Sequence, residues 1–228
     1  MKCVFAAILG VGLYSAVCLG AERPVLNDAK AKESYSLGYQ FGQSMKAQGM
    51  DLDLEIYSAG IRDALAGTTP QLGPEEIRTT VLDLQKRLAA ARQKEFKELA
   101  EKNLVDGKTF LEQNKKKDGV VSLPSGLQYK VLTEGSGKMP KAADTVTVNY
   151  RGTLIDGKEF DSSYKKGQPA TFQVGKVIRG WTEALQLMKE GAKWQLAIPP
   201  QLAYGDRGTS TIPPNSTLIF EVELISVK

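Results

Sequence analysis

The sequence predicts an α+β protein, in which a helical first part is followed by five or six strands arranged around one short helix. Two observations carry this prediction. Between residues 74 and 118, 20 of 45 residues are charged and only one Pro and one Gly occur, as in a long helix. Residues 119–228 hold 12 of the 22 Gly and 7 of the 10 Pro, interleaved with β-branched and aromatic residues. This second composition is typical of strands and turns.

The first twenty residues have the pattern of a secretory signal peptide. Lys2 precedes an apolar stretch from Val4 to Val17, which is too short to span a bilayer comfortably, and small residues follow it. A buried N-terminal strand is one alternative. A lipoprotein signal ending at Cys18 is another, although Val17 fits that signal poorly. Both Cys residues, Cys3 and Cys18, lie in this segment, so the exported chain would need no disulfide.

Composition excludes several classes of function. The chain has no His, which removes His-based triads, acid–base catalysis by His and most zinc sites. The formal net charge is only +4 and no basic stripe is present, so we expect no nucleic-acid partner. No segment after the first twenty residues is apolar enough to span a membrane.

Two short amphipathic helices are predicted before residue 74. Asn27 or Asp28 can cap the first, which Gly49 can end, and its apolar residues recur at roughly helical spacing: Tyr35, Leu37, Phe41 and Met45. Asp53 can cap the second, which Gly67 ends, with one apolar face: Leu54, Tyr57, Ile61 and Leu65. In the first helix two glycines four residues apart leave one face bare enough for another helix to approach closely: Gly38 and Gly42.

A third, long helix begins at Pro74 and has acidic residues in its first turn. If it continued to Lys116 it would be roughly 60 Å long, and two short helices could not cover it. Its apolar positions therefore need a partner, for which a second copy of the chain is the simplest choice: Ile77, Val81, Leu84, Leu88 and Ala91. The alternative is a solvated charged spacer, expected beyond Leu99. Gly107 is a candidate kink or break.

The second half contains six candidate strands and one helix. The helix is expected at residues 182–189, directly after Trp181. The strands are expected at 120–123, 127–133, 146–154, 171–174, 193–198 and 218–226.

Three stretches in this half combine aromatic residues with turn residues: VTVNYRGTLIDGKEFDSS at 146–163, VGKVIRGW at 174–181 and PPQLAYGDRGTSTIPPNSTLIF at 199–220. In this order they resemble the FK506-binding protein (FKBP) type of peptidyl-prolyl cis-trans isomerase. The whole chain is similar to the macrophage infectivity potentiator (Mip) subgroup of Gram-negative bacteria. The resemblance implies an antiparallel sheet wrapped around a short helix, with an aromatic pocket that receives a prolyl ring.

The resemblance also implies roles for individual residues. Trp181 would form the floor under the prolyl ring. The Ile178 N–H and the Tyr204 hydroxyl would bind substrate carbonyls, and Asp161 would lie beside the rotating amide. The remaining substrate-binding residues would be Tyr150, Phe160, Val177, Ile212 and Phe220. Rotation about an X-Pro bond breaks no covalent bond, so neither a metal nor a cofactor is expected.

Plainer interpretations exist for the same residues. Without the resemblance, the aromatic side chains would be ordinary core residues, and Asp161 followed by two Ser would be a turn or a helix cap. The sequence also departs from the family pattern. Ala170 and Thr211 replace larger residues and predict a more open pocket. Lys165 or Lys166 would replace an Arg partner of the pocket Asp, which affects the expected binding of FK506- or rapamycin-like macrocycles.

The sequence therefore predicts four segments: a signal peptide (1–20), a helical dimerisation domain (21–73), a long connecting helix (74–118) and an isomerase domain (119–228). We expect an exported homodimer in the periplasm or at the outer membrane or cell surface. Its partners would be proline-containing polypeptides and unfolded exported proteins. The alternatives are a dimeric holdase chaperone that uses the same fold as a binding module, and an adhesion factor that contacts host matrix.

Overall fold

The computed structural model describes residues 25–228, so the predicted signal peptide and Cys18 lie outside the described residues. The described chain contains four α-helices and seven β-strands: α1 (Ala29–Ala47), α2 (Leu54–Ala66), α3 (Pro74–Asn114), β1 (Val120–Ser122), β2 (Gln128–Thr133), β3 (Thr145–Leu154), β4 (Glu159–Ser162), β5 (Ala170–Gln173), α4 (Arg179–Leu185), β6 (Lys193–Ile198) and β7 (Leu218–Val227). The chain divides into two compact units, one ending at Thr79 and one beginning at Thr80. Among the described helices, none has the length and apolar character needed to cross a membrane.

The first two helices begin and end close to the predicted residues. The Asp28 carboxylate accepts a hydrogen bond from the Ala31 N–H at 2.7 Å and caps α1. The Asp53 carboxylate caps α2 by accepting from two backbone N–H groups, at 2.9 and 3.0 Å. Gly67 ends α2 with a φ of 67°, a left-handed conformation that favours glycine. The prediction of two short capped helices is therefore confirmed.

Helix α3 is continuous through Gly107, so the break considered there is wrong. Gly107 is needed for a different reason, because a Cβ atom at this position would overlap the hydroxyl of Thr217, just before β7. The absent side chain lets the helix lie directly against this segment. Near the helix end, the Asn114 amide donates a hydrogen bond to the Gln128 side chain at 2.9 Å. The solvated spacer expected beyond Leu99 is therefore also wrong, since this part of α3 belongs to the second unit and packs against β2 and the segment before β7.

The seven strands form one antiparallel sheet in the order β1-β2-β6-β7-β3-β4, with β5 also paired to β3. One edge of β3 pairs with β7, and the other pairs with β5 at residues 145–148 and with β4 at residues 151–153. Helix α4 packs on this sheet through buried Trp181, Ala184 and Leu185, which belong to the same hydrophobic core as the strands. The predicted sheet around a short helix is confirmed.

Two elements differ from the sequence prediction. Strand β4 was not expected, because it has only four residues and runs into an Asp-Ser-Ser sequence, at residues 161–163, that is typical of turns. Helix α4 begins at Arg179 rather than Thr182, because the Ile178 carbonyl already accepts hydrogen bonds from the Trp181 and Thr182 N–H groups. It ends at Leu185 rather than at Lys189, and the next residues continue as a turn.

Candidate functional site

A cavity of about 780 Å³ opens beside helix α4 in the second unit. Its walls come from β3, β4, β5, β7, the turn before α4 and the loop between β6 and β7. All nine side chains expected in the pocket line it: Tyr150, Phe160, Asp161, Val177, Ile178, Trp181, Tyr204, Ile212 and Phe220. The structure thus brings the nine residues together, while their roles in catalysis remain predictions.

The floor of the cavity is a cluster of aromatic rings centred on Trp181. This side chain is 4% exposed, and three rings meet it edge to face. The centroid separations are 5.3 Å to Tyr150, 5.2 Å to Phe220 and 5.8 Å to Phe172, with interplanar angles of 80–88°. Edge-to-face contacts of this kind stabilise aromatic pairs beyond the area they bury. The result is a fixed apolar surface of a kind that suits a pyrrolidine ring.

One wall of the cavity depends on a glycine. The rings of Phe160 and Phe220 meet at 5.5 Å and 85°. Between them lies Gly152 of β3, which pairs with Phe220 on one side and Asp161 on the other. A Cβ atom at this position would stand 2.7 Å from the Phe220 ring and 2.8 Å from the Phe160 ring. The absent side chain therefore sets how closely both rings approach the strand.

Gly152→Ala is expected to push both rings towards the cavity. Overpacking of this kind costs about 1–3 kcal/mol of stability. A misfit of one methyl group in an apolar pocket lowers substrate affinity by about tenfold or more. Steady-state kinetics on a short X-Pro peptide should show this as a raised KM. Gly60→Ala adds the same methyl to open space on α2 and serves as the control. Equal KM values for the two variants would contradict this account of the wall.

Asp161 is held by three hydrogen-bond donors at the edge of the aromatic floor. The Tyr150 hydroxyl donates to Oδ2 at 2.7 Å. The Ser162 N–H donates to Oδ1 at 2.9 Å, and the Lys166 ammonium lies 2.6 Å from the same oxygen. Lys166 also donates to the Tyr150 hydroxyl at 3.1 Å. These contacts fix the orientation of the Asp161 carboxylate. Because Asp161 lies on β4, it is neither a turn residue nor a helix cap.

The charge states follow from these contacts. Partial burial acts to raise the pKa of Asp161, but the hydrogen bonds from Lys166 and Tyr150 outweigh it and the pKa lies below its ordinary value. The hydrogen bond to Asp161 raises the pKa of Lys166. Burial raises the pKa of Tyr150 and of Tyr204, and the Asp161 charge acts in the same direction on both. Near neutral pH the site thus holds a carboxylate, an ammonium and two neutral phenols.

Two hydrogen-bond donors in the cavity wall are unused. Within residues 25–228, no acceptor takes the Ile178 N–H, and the Tyr204 hydroxyl has no hydrogen-bond partner either. Both residues line the cavity, and the Tyr204 side chain is 41% exposed. Donors that are free in the absence of a ligand can serve the carbonyl groups of a peptide. The site therefore combines an apolar floor, a fixed carboxylate and two available donors.

Three lining residues were not predicted: Phe172, Lys176 and Thr209. The strand around Phe172 was expected, and its alternation could have placed this ring on the Trp181 side. The hydroxyl of Thr209 accepts hydrogen bonds from the N–H groups of Thr211 and Ile212, at 3.2 and 3.0 Å, which no spacing in the sequence indicates. Ala170 and Thr211 also line the cavity. Of the two candidate lysines, Lys166 pairs with Asp161, whereas Lys165 lies 2.9 Å from Glu159.

Comparison with known families gives two matches that together cover most of the chain. Residues 136–225 match the family described as FKBP-type peptidyl-prolyl cis-trans isomerase. Residues 30–131 match the family described as the domain amino terminal to FKBP-type peptidyl-prolyl isomerase.

Known proteins that are similar to this chain match it over nearly their whole length. The outer membrane protein MIP of Legionella longbeachae is 47% identical over 229 residues, covering 100% of this chain and 98% of its own. The peptidyl-prolyl cis-trans isomerase Mip of Coxiella burnetii is 44% identical, covering 100% and 99%. The crystal structure of FkpA from Escherichia coli superposes with a TM-score of 0.71 at 42% identity, covering 90% of this chain and 99% of that one.

Proposed function

The chain belongs to the family of FKBP-type peptidyl-prolyl cis-trans isomerases, and from this premise we propose that it accelerates X-Pro isomerisation while exported proteins fold. X-Pro bonds interconvert in tens to hundreds of seconds without a catalyst, which is slow enough to limit folding. The observation that carries the proposal is the arrangement in the cavity. The fixed Asp161 carboxylate and the free donors of Ile178 and Tyr204 surround the aromatic floor at Trp181.

The mechanism we propose is non-covalent. The barrier of about 18–20 kcal/mol comes from the double-bond character of the amide, which is lost when the bond is twisted. A prolyl ring held over Trp181 would leave the preceding amide free to rotate in an environment with little water. The Ile178 N–H and the Tyr204 hydroxyl would anchor flanking carbonyls, and Asp161 would orient and stabilise the twisted amide electrostatically. Catalysis then arises because the cavity fits the twisted form better than either planar form.

We further propose that residues 25–73, together with the start of α3, mediate homodimerisation. Among the described residues, Met45 is the only buried side chain of α1, and α2 has none. Large apolar side chains remain exposed on this unit, including Ile56 at 72% and Leu65 at 84%. A second copy of the chain would cover them. The division into a dimerisation domain at 21–73, a connecting helix at 74–118 and an isomerase domain at 119–228 belongs to the same proposal.

The proposed location is outside the cytoplasm. The predicted signal peptide at residues 1–20 supports export, and one similar protein is named an outer membrane protein. Cleavage after this segment would place the protein in the periplasm, whereas lipidation of Cys18 would hold it at the outer membrane.

A refolding experiment tests the proposed function. For a protein whose refolding is limited by a cis-proline, catalytic amounts of residues 25–228 should shorten the slow fluorescence phase several-fold. We expect excess short X-Pro peptide, or a macrocycle of the FK506 type, to abolish the effect by filling the cavity. An unchanged slow phase accompanied by reduced aggregation would contradict the proposal and favour a holdase.

A further inference from the structure

We propose that Asn103 on α3 and Asn215 on the loop between β6 and β7 are positioning residues for the isomerase site. This inference rests on the proposed use of the cavity as the prolyl site. The loop, residues 199–217, carries four lining residues of the cavity: Tyr204, Thr209, Thr211 and Ile212. Outside regular strands, such a segment needs contacts that fix its backbone if its side chains are to keep their places.

The two asparagines form a reciprocal pair of contacts between the helix and this loop. The Asn103 amide donates to the Pro214 carbonyl at 2.9 Å. In the other direction, the Asn215 amide donates to the Ala100 carbonyl at 3.3 Å. Nearby, Gly107 lets the helix lie against Thr217. These contacts tie the last part of the loop to one face of α3 at positions 100, 103 and 107, which span about two turns of the helix.

Asn215 also connects this attachment to the cavity wall. Its backbone N–H donates to the Gly205 carbonyl at 2.8 Å, directly after Tyr204. Its φ is 54°, the only positive value at a non-glycine residue in residues 25–228. Asn tolerates this left-handed conformation better than most residues. One residue therefore holds α3 through its side chain and the Tyr204 segment through its backbone.

The Asn103 contact holds the loop close to another lining residue, Ile212. Its acceptor, the Pro214 carbonyl, lies two residues after Ile212, whose side chain is 4% exposed and lines the cavity. Two hydrogen bonds connect Ile212 to Thr209 at the tip of the loop: the Thr209 N–H donates to the Ile212 carbonyl at 2.8 Å, and the Ile212 N–H donates to the Thr209 hydroxyl at 3.0 Å. Helix α3 thus serves as a scaffold for the pocket wall in addition to connecting two units.

The test uses residues 25–228 with one substitution at a time. Asn215→Asp keeps the size and the tolerance of positive φ but removes the donor to α3, and Asn103→Ala removes the other donor. Each is expected to lower kcat/KM on a short X-Pro peptide by about three- to tenfold, the loss expected for one neutral hydrogen bond. Amide NMR signals of residues 204, 205 and 212 should shift in the same variants.

Asn114→Ala is the matched control, because it also breaks a side-chain contact made by α3, but one that reaches β2 instead of the loop. It is expected to lower thermal stability while leaving kcat/KM and the signals of residues 204, 205 and 212 unchanged. The proposal is overturned if both test variants keep wild-type kcat/KM, or if Asn114→Ala lowers it equally. If the wild-type protein itself showed no isomerase activity, the proposed function would fail, and the NMR shifts would still decide whether the asparagines position the loop.

Discussion

Asp161→Ala is expected to lower kcat/KM on a short X-Pro peptide by about 10- to 100-fold without unfolding the protein. Within residues 25–228, the substitution removes the only carboxylate that lines the cavity, at the edge of the Trp181 floor. A charge-assisted hydrogen-bonding group of this kind contributes about 1.5–3 kcal/mol. The side chain is 40% exposed, so its ion pair with Lys166 should contribute under about 1 kcal/mol to stability. Peptide kinetics together with thermal unfolding would measure both effects.

Two further variants sharpen this prediction. Tyr204→Phe removes a free hydroxyl donor from the cavity wall and should also reduce activity while the domain stays folded. Glu159→Ala is the control, because it removes a neighbouring carboxylate of β4 that is also ion-paired but does not line the cavity. This variant should keep the wild-type kcat/KM. Full activity in both Asp161→Ala and Tyr204→Phe would rule out this assignment of the site.

Gly42→Leu, alone or with Gly38→Leu, is expected to convert the proposed homodimer into a monomer. A Cβ atom at either glycine meets nothing within 4 Å in the described chain, so a side chain can extend from this face of α1 in the monomer. Replacing Gly by Leu in a helix also favours α1 locally, by about 0.5–1 kcal/mol. The same side chain would obstruct close approach by a helix of a second copy. Light scattering of residues 25–228 would report the change in mass.

The matched control is Gln40→Leu, which adds the same side chain to the opposite face of α1, 200° around the helix from both glycines. It should remain dimeric. A protein lacking residues 25–73 and the start of α3 should also be monomeric and should retain activity on short peptides, because no lining residue of the cavity lies in that part of the chain. A dimer that persists in the glycine variants and in the shortened protein would place the interface elsewhere.

The parts of the fold that could be predicted are those encoded in local chemistry. Asp28, Asp53 and Gly67 occupy the cap positions that their side chains or backbone freedom suggest. The cavity could be predicted because its residues lie in ordered motifs whose resemblance to a known family is specific. Alternation in residues 145–150 likewise predicted a strand with one apolar face, and β3 is buried at every second residue there.

The parts that could not be predicted depend on contacts between distant residues. Gly107 resembles a helix breaker in sequence, but its role is set by Thr217, 110 residues away. Strand β4 exists because β3 pairs with it, not because four residues ending in Asp-Ser favour extended structure. The attachment of Asn103 to Pro214 likewise joins residues 111 positions apart. Sequence spacing carries no signal for such contacts.

The most direct test of the central claim is two-dimensional exchange NMR on a short X-Pro peptide in excess over residues 25–228. We expect exchange cross-peaks between the cis and trans signals of the peptide at mixing times that show none without the protein. We also expect the Trp181 indole N–H signal to shift in the same titration, because the proposed mechanism places the prolyl ring on that side chain. Absent cross-peaks from a folded protein, or catalysis with an unchanged Trp181 signal, would contradict the proposed site.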